Sequence, residues 1–349
     1  MWNSLRILRG AAGNVASCSF VGFSIMQDFS DFLTECDRAP RLNNLAGFFS
    51  ETAAGRGGVP IRKPVVDMRL LPNDNLLHRI VELHARRQGF FDQHYHGSIP
   101  YRLEEECRMA HALLRYSQQS TRDISLYSLG TAEGTMARTL SELGQGKIRS
   151  LSCSPNEENY KCFMAFGNPP HAQFFLGPFH RLTEAYMRTE KSLEQFADGF
   201  DVVLEDTTFQ MYSPNRHQQI AFVARHLKAD GILLLMEKFQ AADTRDYEAR
   251  EAQKDFGYKT RYFGLDEIER KTRQVLTTMH GNEVTLAALA KAVYAHFRHC
   301  VITWNSGNFY GLAASNSSDK LERYLSLLVQ PAIPLEYVYG PEPYTELSL

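Results

Sequence analysis

Apolar and polar positions change their rhythm along the chain. Over 75–89 apolar residues recur near helical period (Leu76, Leu77, Ile80, Val81, Leu83), which predicts a helix. The spacing predicts a second helix over 103–117, with Glu104, Glu105 and Glu106 in a first turn where acids favour the positive dipole end. Between them, 90–101 is an aromatic and polar cluster that includes His94, Tyr95, His96 and Tyr101. Before them, 40–66 is punctuated by Gly55, Gly57, Gly58, Pro60 and Pro64 and reads as a linker or mobile flap.

From residue 123 short apolar runs alternate with helical stretches. Strands are predicted at 124–129, 147–153, 173–176, 200–204 and 231–236, and helices at 135–143, from about 156, and at 216–228. Apolar strands joined by helices imply a parallel sheet covered on both faces. The stretch 240–298 reads as helical insertions, and 301–304 with 309–314 make a closing hairpin around Asn305-Ser306-Gly307-Asn308. The expected fold is therefore α/β: a Rossmann-like mixed sheet, mostly parallel with a closing antiparallel hairpin, carrying an N-terminal helical cap and a helical insertion. The expected division is 1–89 as extension and cap, 90–316 as the Rossmann-like domain with its insertion at about 240–298, and 317–349 as a C-terminal tail.

Composition narrows the function classes. The chain has 349 residues, with 38 Lys plus Arg against 40 Asp plus Glu, a net charge of -2. That balance argues against a polybasic nucleic-acid protein. No run of about 18 apolar residues is present to span a membrane. The six cysteines have no zinc or CxxC spacing and read as reduced thiols of a cytoplasmic protein. Residues 1–25 carry Arg6 and Arg9 but a broken apolar stretch, so they read as an extension or arm rather than a targeting signal, with Met26 a candidate start.

The strand at 124–129 runs into Gly130-Thr131-Ala132-Glu133-Gly134 and then a helix. Glycine lets backbone approach a ligand, and a helix N-terminus favours polar groups. The pattern is neither G-x-G-x-x-G nor a P-loop, which disfavours a dinucleotide or a nucleoside triphosphate. Ligands of open α/β sheets bind beyond the carboxyl ends of the strands, where this loop and Glu205-Asp206-Thr207 would both face.

In this order the stretch 124–239 resembles a class I S-adenosylmethionine (SAM) methyltransferase domain. Leu129 to Gly134 resembles its first motif, 147–155 its second strand and turn, 200–204 its fourth strand, and 227–234 the approach to its fifth. More narrowly, 90–315 is similar to the carboxy-SAM synthase family and its methyltransferase relatives, through Ser98-Ile99-Pro100-Tyr101, Met236-Glu237-Lys238-Phe239, Glu267 to Lys271 and Asn308 to Leu312. The resemblance implies a SAM-dependent methyltransferase-like enzyme acting on a small molecule, without metal, nucleic acid or membrane, and a homodimer. Cofactor-binding candidates are Gly130, Thr131, Ala132, Glu133, Gly134, Ser152, Ser154, Pro155 and Thr207. Catalytic candidates are Tyr101, Arg102, Glu205 and Asp206, with Lys238 also facing the substrate.

Departures from the family pattern are as informative. Ser128 replaces an acid on the first strand, Ser152 replaces the ribose-binding acid, and Gly177-Pro178-Phe179 stands where an adenine-binding Asp is common. A charged hydrogen bond contributes about 1.5–3 kcal/mol against about 1 for a neutral one. Ser152 for an acid therefore weakens nucleoside binding by roughly one to two powers of ten. Glu133, Glu205 and Asp206 are positioned to compensate by facing a sulfonium or ammonium. The carboxy-SAM reading also needs an arginine where Thr272 aligns, with Arg270 and Arg273 close by. Alternatives are a noncatalytic binding or scaffolding descendant that has lost SAM, or an enzyme using the fold for another ligand. His84, His94 and His96 read as surface or cleft residues rather than metal ligands, His296 and His299 as satisfied or exposed, and Cys153 as a thiol without a partnered His. Arg86-Arg87 and Arg62-Lys63 are too small a patch for nucleic acid.

Overall fold

The computed structural model describes residues 28–165, 167 and 170–348. The arm 1–25 and Met26 therefore lie outside the described residues. The strands are β1 (Ile124–Leu129), β2 (Ile148–Ser154), β3 (Ala172–Leu176), β4 (Phe200–Asp206), β5 (Leu227–Gln240), β6 (Val284–Thr285), β7 (His299–Ser306) and β8 (Phe309–Ser315). They form one sheet in the order β3-β2-β1-β4-β5-β8-β7, with two-residue β6 beside the end of β5. β1 through β5 are parallel, while β8 is antiparallel to both β5 and β7. The mostly parallel Rossmann-like sheet with its closing antiparallel hairpin is thus the architecture found.

Alternation along each strand sends neighbours to opposite faces. Leu126, Val202, Leu204, Ile232 and Leu234 join one apolar cluster, and Tyr127, Leu129, Val203, Leu233 and Leu235 join another. These strands read as continuous apolar runs because both faces are covered. β5 runs longer than its apolar run, since its first residues pair with Phe200 before a bulge resets the register.

The helices are α1 (Ser30–Asp37), α2 (Ala46–Ala53), α3 (Asn75–Arg87), α4 (Phe90–Ser98), α5 (Arg102–Gln118), α6 (Thr135–Gly144), α7 (Glu157–Ala165), α8 (Glu184–Thr189), α9 (Arg216–Ala224), α10 (Thr244–Ala252), α11 (Leu265–Lys271), α12 (Thr277–His280), α13 (Leu286–Tyr294) and α14 (Ser318–Leu327). α3 begins where Asp74 accepts the Leu76 and Leu77 amides at 2.9 and 3.0 Å, a side-chain cap. Residues 40–66 are not simply a flap. They include α2, whose Phe49 is buried and packs on Phe91 of α4. Phe29 and Phe32, at and beside α1, pack against Phe222, so the cap is continuous with the core. At the other end, α14 lies on α5, and 344–347 hydrogen-bond along β7 through Tyr344, Thr345 and Leu347. That covers an edge which would otherwise expose unpaired amides.

Candidate functional site

The β1-to-α6 turn forms the floor of a hollow at the carboxyl ends of β1 and β4. Gly130 adopts φ +68° and Gly134 φ +65°, both left-handed. A Cβ on Gly130 would lie 1.7 Å from Thr208 Oγ1, and one on Gly134 2.4 Å from Ser152 Oγ. The turn therefore needs both glycines for backbone geometry and for close approach. Gly130, Thr131, Ala132 and Gly134 line this hollow, together with Ser128, Asp206 and Thr207. The hydroxyls of Ser128 and Thr131 are buried without a hydrogen-bond partner. α4 closes the hollow from above with Phe91, Asp92 and Tyr95, leaving a cavity of about 40 Å³.

Behind this wall runs a buried ionic chain. The Arg102 guanidinium donates to Asp206 Oδ2 at 2.5 Å and lies 3.4 Å from Glu106. Tyr95 donates to the other Asp206 oxygen at 2.5 Å, and Thr207 donates to Tyr95 at 3.2 Å. His84 and His96 both approach Glu106, at 3.2 and 3.1 Å. Burial works to raise the Glu106 carboxyl, but the two histidines and Arg102 win and hold it well below its usual range. Burial and the Asp206 charge push the Tyr95 phenol well above its usual value. His84 and His96 are thus buried struts, not surface residues.

Of the catalytic candidates, Arg102 and Asp206 meet as an ion pair, and Tyr101 and Glu205 point elsewhere. Tyr101 takes a left-handed conformation (φ 59°) and packs on Tyr258 and Tyr337, outside the hollow. Glu205 turns back to accept the amides of Thr208 and Phe209 at 2.5 and 3.0 Å. Burial and Glu237 raise its pKa well above the carboxylate range. Glu133 does not face a sulfonium either. It accepts the Phe91 and Asp92 amides at 2.9 Å each, capping α4. Burial and neighbouring Asp92 raise it as well. Ser152 lies against Gly134, and Ser154 accepts Asn156 and Asn159 in a local turn. Neither they nor Pro155 line the hollow, because β2 ends behind the glycine turn.

A second cavity of about 70 Å³ adjoins the first, and Phe91, Tyr95, Thr207 and Met211 line both. Its outer wall is the insertion. There the chain makes two π-helical segments, 253–258 and 272–276, a geometry that recurs at functional sites. Lys254 lies in the first of them, Lys259 and Lys271 lie between the two, and all three line this cavity together with Lys238 of β5. Arg270 and Arg273, by contrast, pair outward with Glu267 and Glu269. Helical phase explains this: Lys271 faces in, so its neighbours face out. No arginine therefore stands where the carboxy-SAM synthase reading needs one. Lys238 is the substrate-facing candidate that the sequence offers, whereas Lys254, Lys259 and Lys271 carry no local signal that separates them from the other basic residues of the insertion.

Cys153 donates to the Gly177 carbonyl at 3.2 Å, and burial pushes its thiol up to about 12, which suits an inert core thiol. Among the described residues no group of three or more His, Cys, Asp or Glu is placed to hold a metal, and no helix is long and apolar enough to cross a membrane.

No family model and no curated protein matches the chain. Solved structures with a distant likeness include the plantazolicin methyltransferase BpumL in complex with a monoazolic desmethylPZN analog and SAH, at 12% identity, TM-score 0.44, over 70% of this chain and 100% of that one. The plantazolicin methyltransferase BamL, with a triazolic analog and SAH, shows 10% identity and TM-score 0.44 over 69% and 97%. Human N-acetylserotonin methyltransferase, in complex with SAM, shows 14% identity and TM-score 0.40 over 79% and 67%. Likeness this distant carries no function across. The class that the fold itself defines is a Rossmann-like α/β protein with a capped hollow at the β1 and β4 ends.

Proposed function

We propose that this chain is a SAM-dependent methyltransferase-like enzyme acting on a small molecule, with its N-terminal cap closed over the cofactor hollow. The observation that carries the reading is the hollow itself: a left-handed glycine turn, two orphaned hydroxyls (Ser128, Thr131) and the Asp206 carboxylate at the β1 and β4 ends. A buried hydroxyl without a partner is costly, so its persistence points to a polar group that satisfies it.

The fit to SAM is uneven. The methionine half matches a polar, acid-lined floor. The nucleoside half does not fit the closed form, because about 40 Å³ falls short of the roughly 150 Å³ that admits even benzene. Phe91, Asp92 and Tyr95 take up that room from α4, so an adenosyl group enters only if the cap moves. SAM, when bound, supplies an electrophilic methyl group. The chain's own part is to present Asp206, held in place by Arg102 and Tyr95, as an anionic wall, and to exclude water beneath α4.

Glu133 favours a second reading. Its carboxylate caps α4 across the cofactor loop, which suits a noncatalytic descendant or one with another ligand. Calorimetry with SAM and S-adenosylhomocysteine separates the two. Binding tighter than about 100 μM, or roughly -5.5 kcal/mol, supports the enzyme; no heat and no thermal shift with either compound supports the second reading.

A further inference from the structure

Four ammonium groups line the second cavity, and three carboxylates neutralise them from behind and beside it. Lys238 pairs with Glu251 and Glu283, each at 2.9 Å. Lys254 pairs with Glu251 and lies 3.6 Å from Asp255. Lys259 is 2.7 Å from Asp255, and its Nζ makes no hydrogen bond although it is buried. Glu251 and Asp255 do not line the cavity. Lys271 has no carboxylate partner among the described residues. It donates to Ser98 Oγ at 2.9 Å and to His94 Nε2 at 2.5 Å. His94 can accept there because its other ring nitrogen donates to the Gly58 carbonyl at 2.6 Å.

The cavity wall is therefore short of one negative charge. An uncompensated ammonium away from water costs several kcal/mol, a cost that Lys271 escapes either by giving up its proton or by meeting a bound anion that keeps it charged. The strain shows in the groups themselves. Burial and then Lys259 and Lys254 drive Lys271 well below its ordinary range, and burial and then Lys254 lower Lys259 to about 8. The rest of the wall is apolar, including Phe48, Phe91 and Phe309. A carboxylate or phosphate on a small apolar or aromatic body satisfies both halves, since ammonium-to-anion hydrogen bonds are strong where water is excluded; at about 70 Å³ the closed cavity, like the first, takes an aromatic body only when the cap moves.

We propose that the cavity between α4 and the insertion binds a small organic anion, its charged head on Lys271 and Lys259 and its apolar body against Phe48, Phe91 and Phe309. As the acceptor of a methyl group this ligand depends on the reading of the adjoining hollow as a SAM site. As a bound anion it does not.

The test is calorimetric titration of the full chain, without SAM, using benzoate, phenyl phosphate and the neutral isostere benzamide. Saturable one-to-one binding of benzoate or phenyl phosphate is expected, at least tenfold tighter than benzamide. Whichever anion binds more tightly identifies the head group as carboxylate or phosphate. Lys271→Gln should weaken that anion at least tenfold, and Lys259→Met, which keeps the stem, should weaken it too. A single cooperative thermal unfolding transition in each variant shows that they remain folded. No saturable heat from either anion overturns the proposal, as does equal affinity for benzamide or full affinity in both variants. SAM titrated separately keeps the two readings apart. Anion binding without SAM binding sinks only the cofactor reading, and the reverse sinks only this one.

Discussion

The two cavities share Phe91, Tyr95, Thr207 and Met211 as a common wall, yet they solve opposite electrostatic problems. The first is lined by Asp92, Glu106 and Asp206, and Arg102 with two histidines compensates the latter two from behind. The second is lined by lysines, and its acids fall one short. The contrast teaches that burial alone does not mark a binding site. Buried charges that meet an opposite charge stabilise and orient, whereas an unpaired buried charge or hydroxyl leaves room for a ligand's contribution.

The sharpest way to break the comparison is to open the charge-paired side. Arg102→Met strands Asp206 without its cation, leaves Glu106 to the two histidines alone, and should lower unfolding free energy by about 3–5 kcal/mol in urea titration. Arg102→Met with Asp206→Asn should recover part of that loss, and full additivity would show that the pair is not coupled.

Ser152→Asp distinguishes a weakened nucleoside site from a filled one. Ser152 is fully buried against Gly134. A carboxyl group there, kept protonated by burial, should cost about 1–3 kcal/mol, with no gain in SAM affinity. Tighter SAM binding by this variant would show instead that the position still faces a ribose.

Glu133→Ala removes the acceptor for two α4 amides and should cost about 1–2 kcal/mol, while Glu133→Gln, which keeps an acceptor, should cost much less. Denaturant midpoints check this, and equal costs for the two would remove the capping role.

The smallest effect lies on the lysine side. Lys259 titrates near 8 in the folded chain against an ordinary 10.5. Between those values the unfolded chain holds more protons at this group, so its contribution to stability rises with pH, and its burial cost is present in full below pH 8. Lys259→Met should therefore gain on the order of 1 kcal/mol at pH 7 and lose the rise between pH 8 and 10. Urea midpoints at pH 7 and pH 9.5 measure both.

Much of the architecture was legible in local pattern. The apolar runs of β1, β2, β4, β5, β7 and β8 stand out because both faces of this sheet are covered, and left-handed turns at Gly130 and Gly134 demand glycine. α2 was hidden by the glycines and prolines that follow it, and β6 by its length of two residues. The site was half legible. Arg102, Asp206, Thr207 and the glycine turn come together, since strand ends and the helix beside them are fixed by topology. Glu133 and Glu205 misled because an acid near a cleft reads the same whether it faces a ligand or caps a backbone amide.

What the chain determined by itself was the order of strands and helices and the turn chemistry between them, because these follow from periodicity and backbone sterics over a few residues. What only the tertiary structure decided was which charges meet. Lys254, Lys259 and Lys271 come from one insertion and Lys238 from the sheet, and α4 arrives from the N-terminal side to close both cavities. Charges separated in sequence interact only through the space the fold gives them, and no local pattern records that distance.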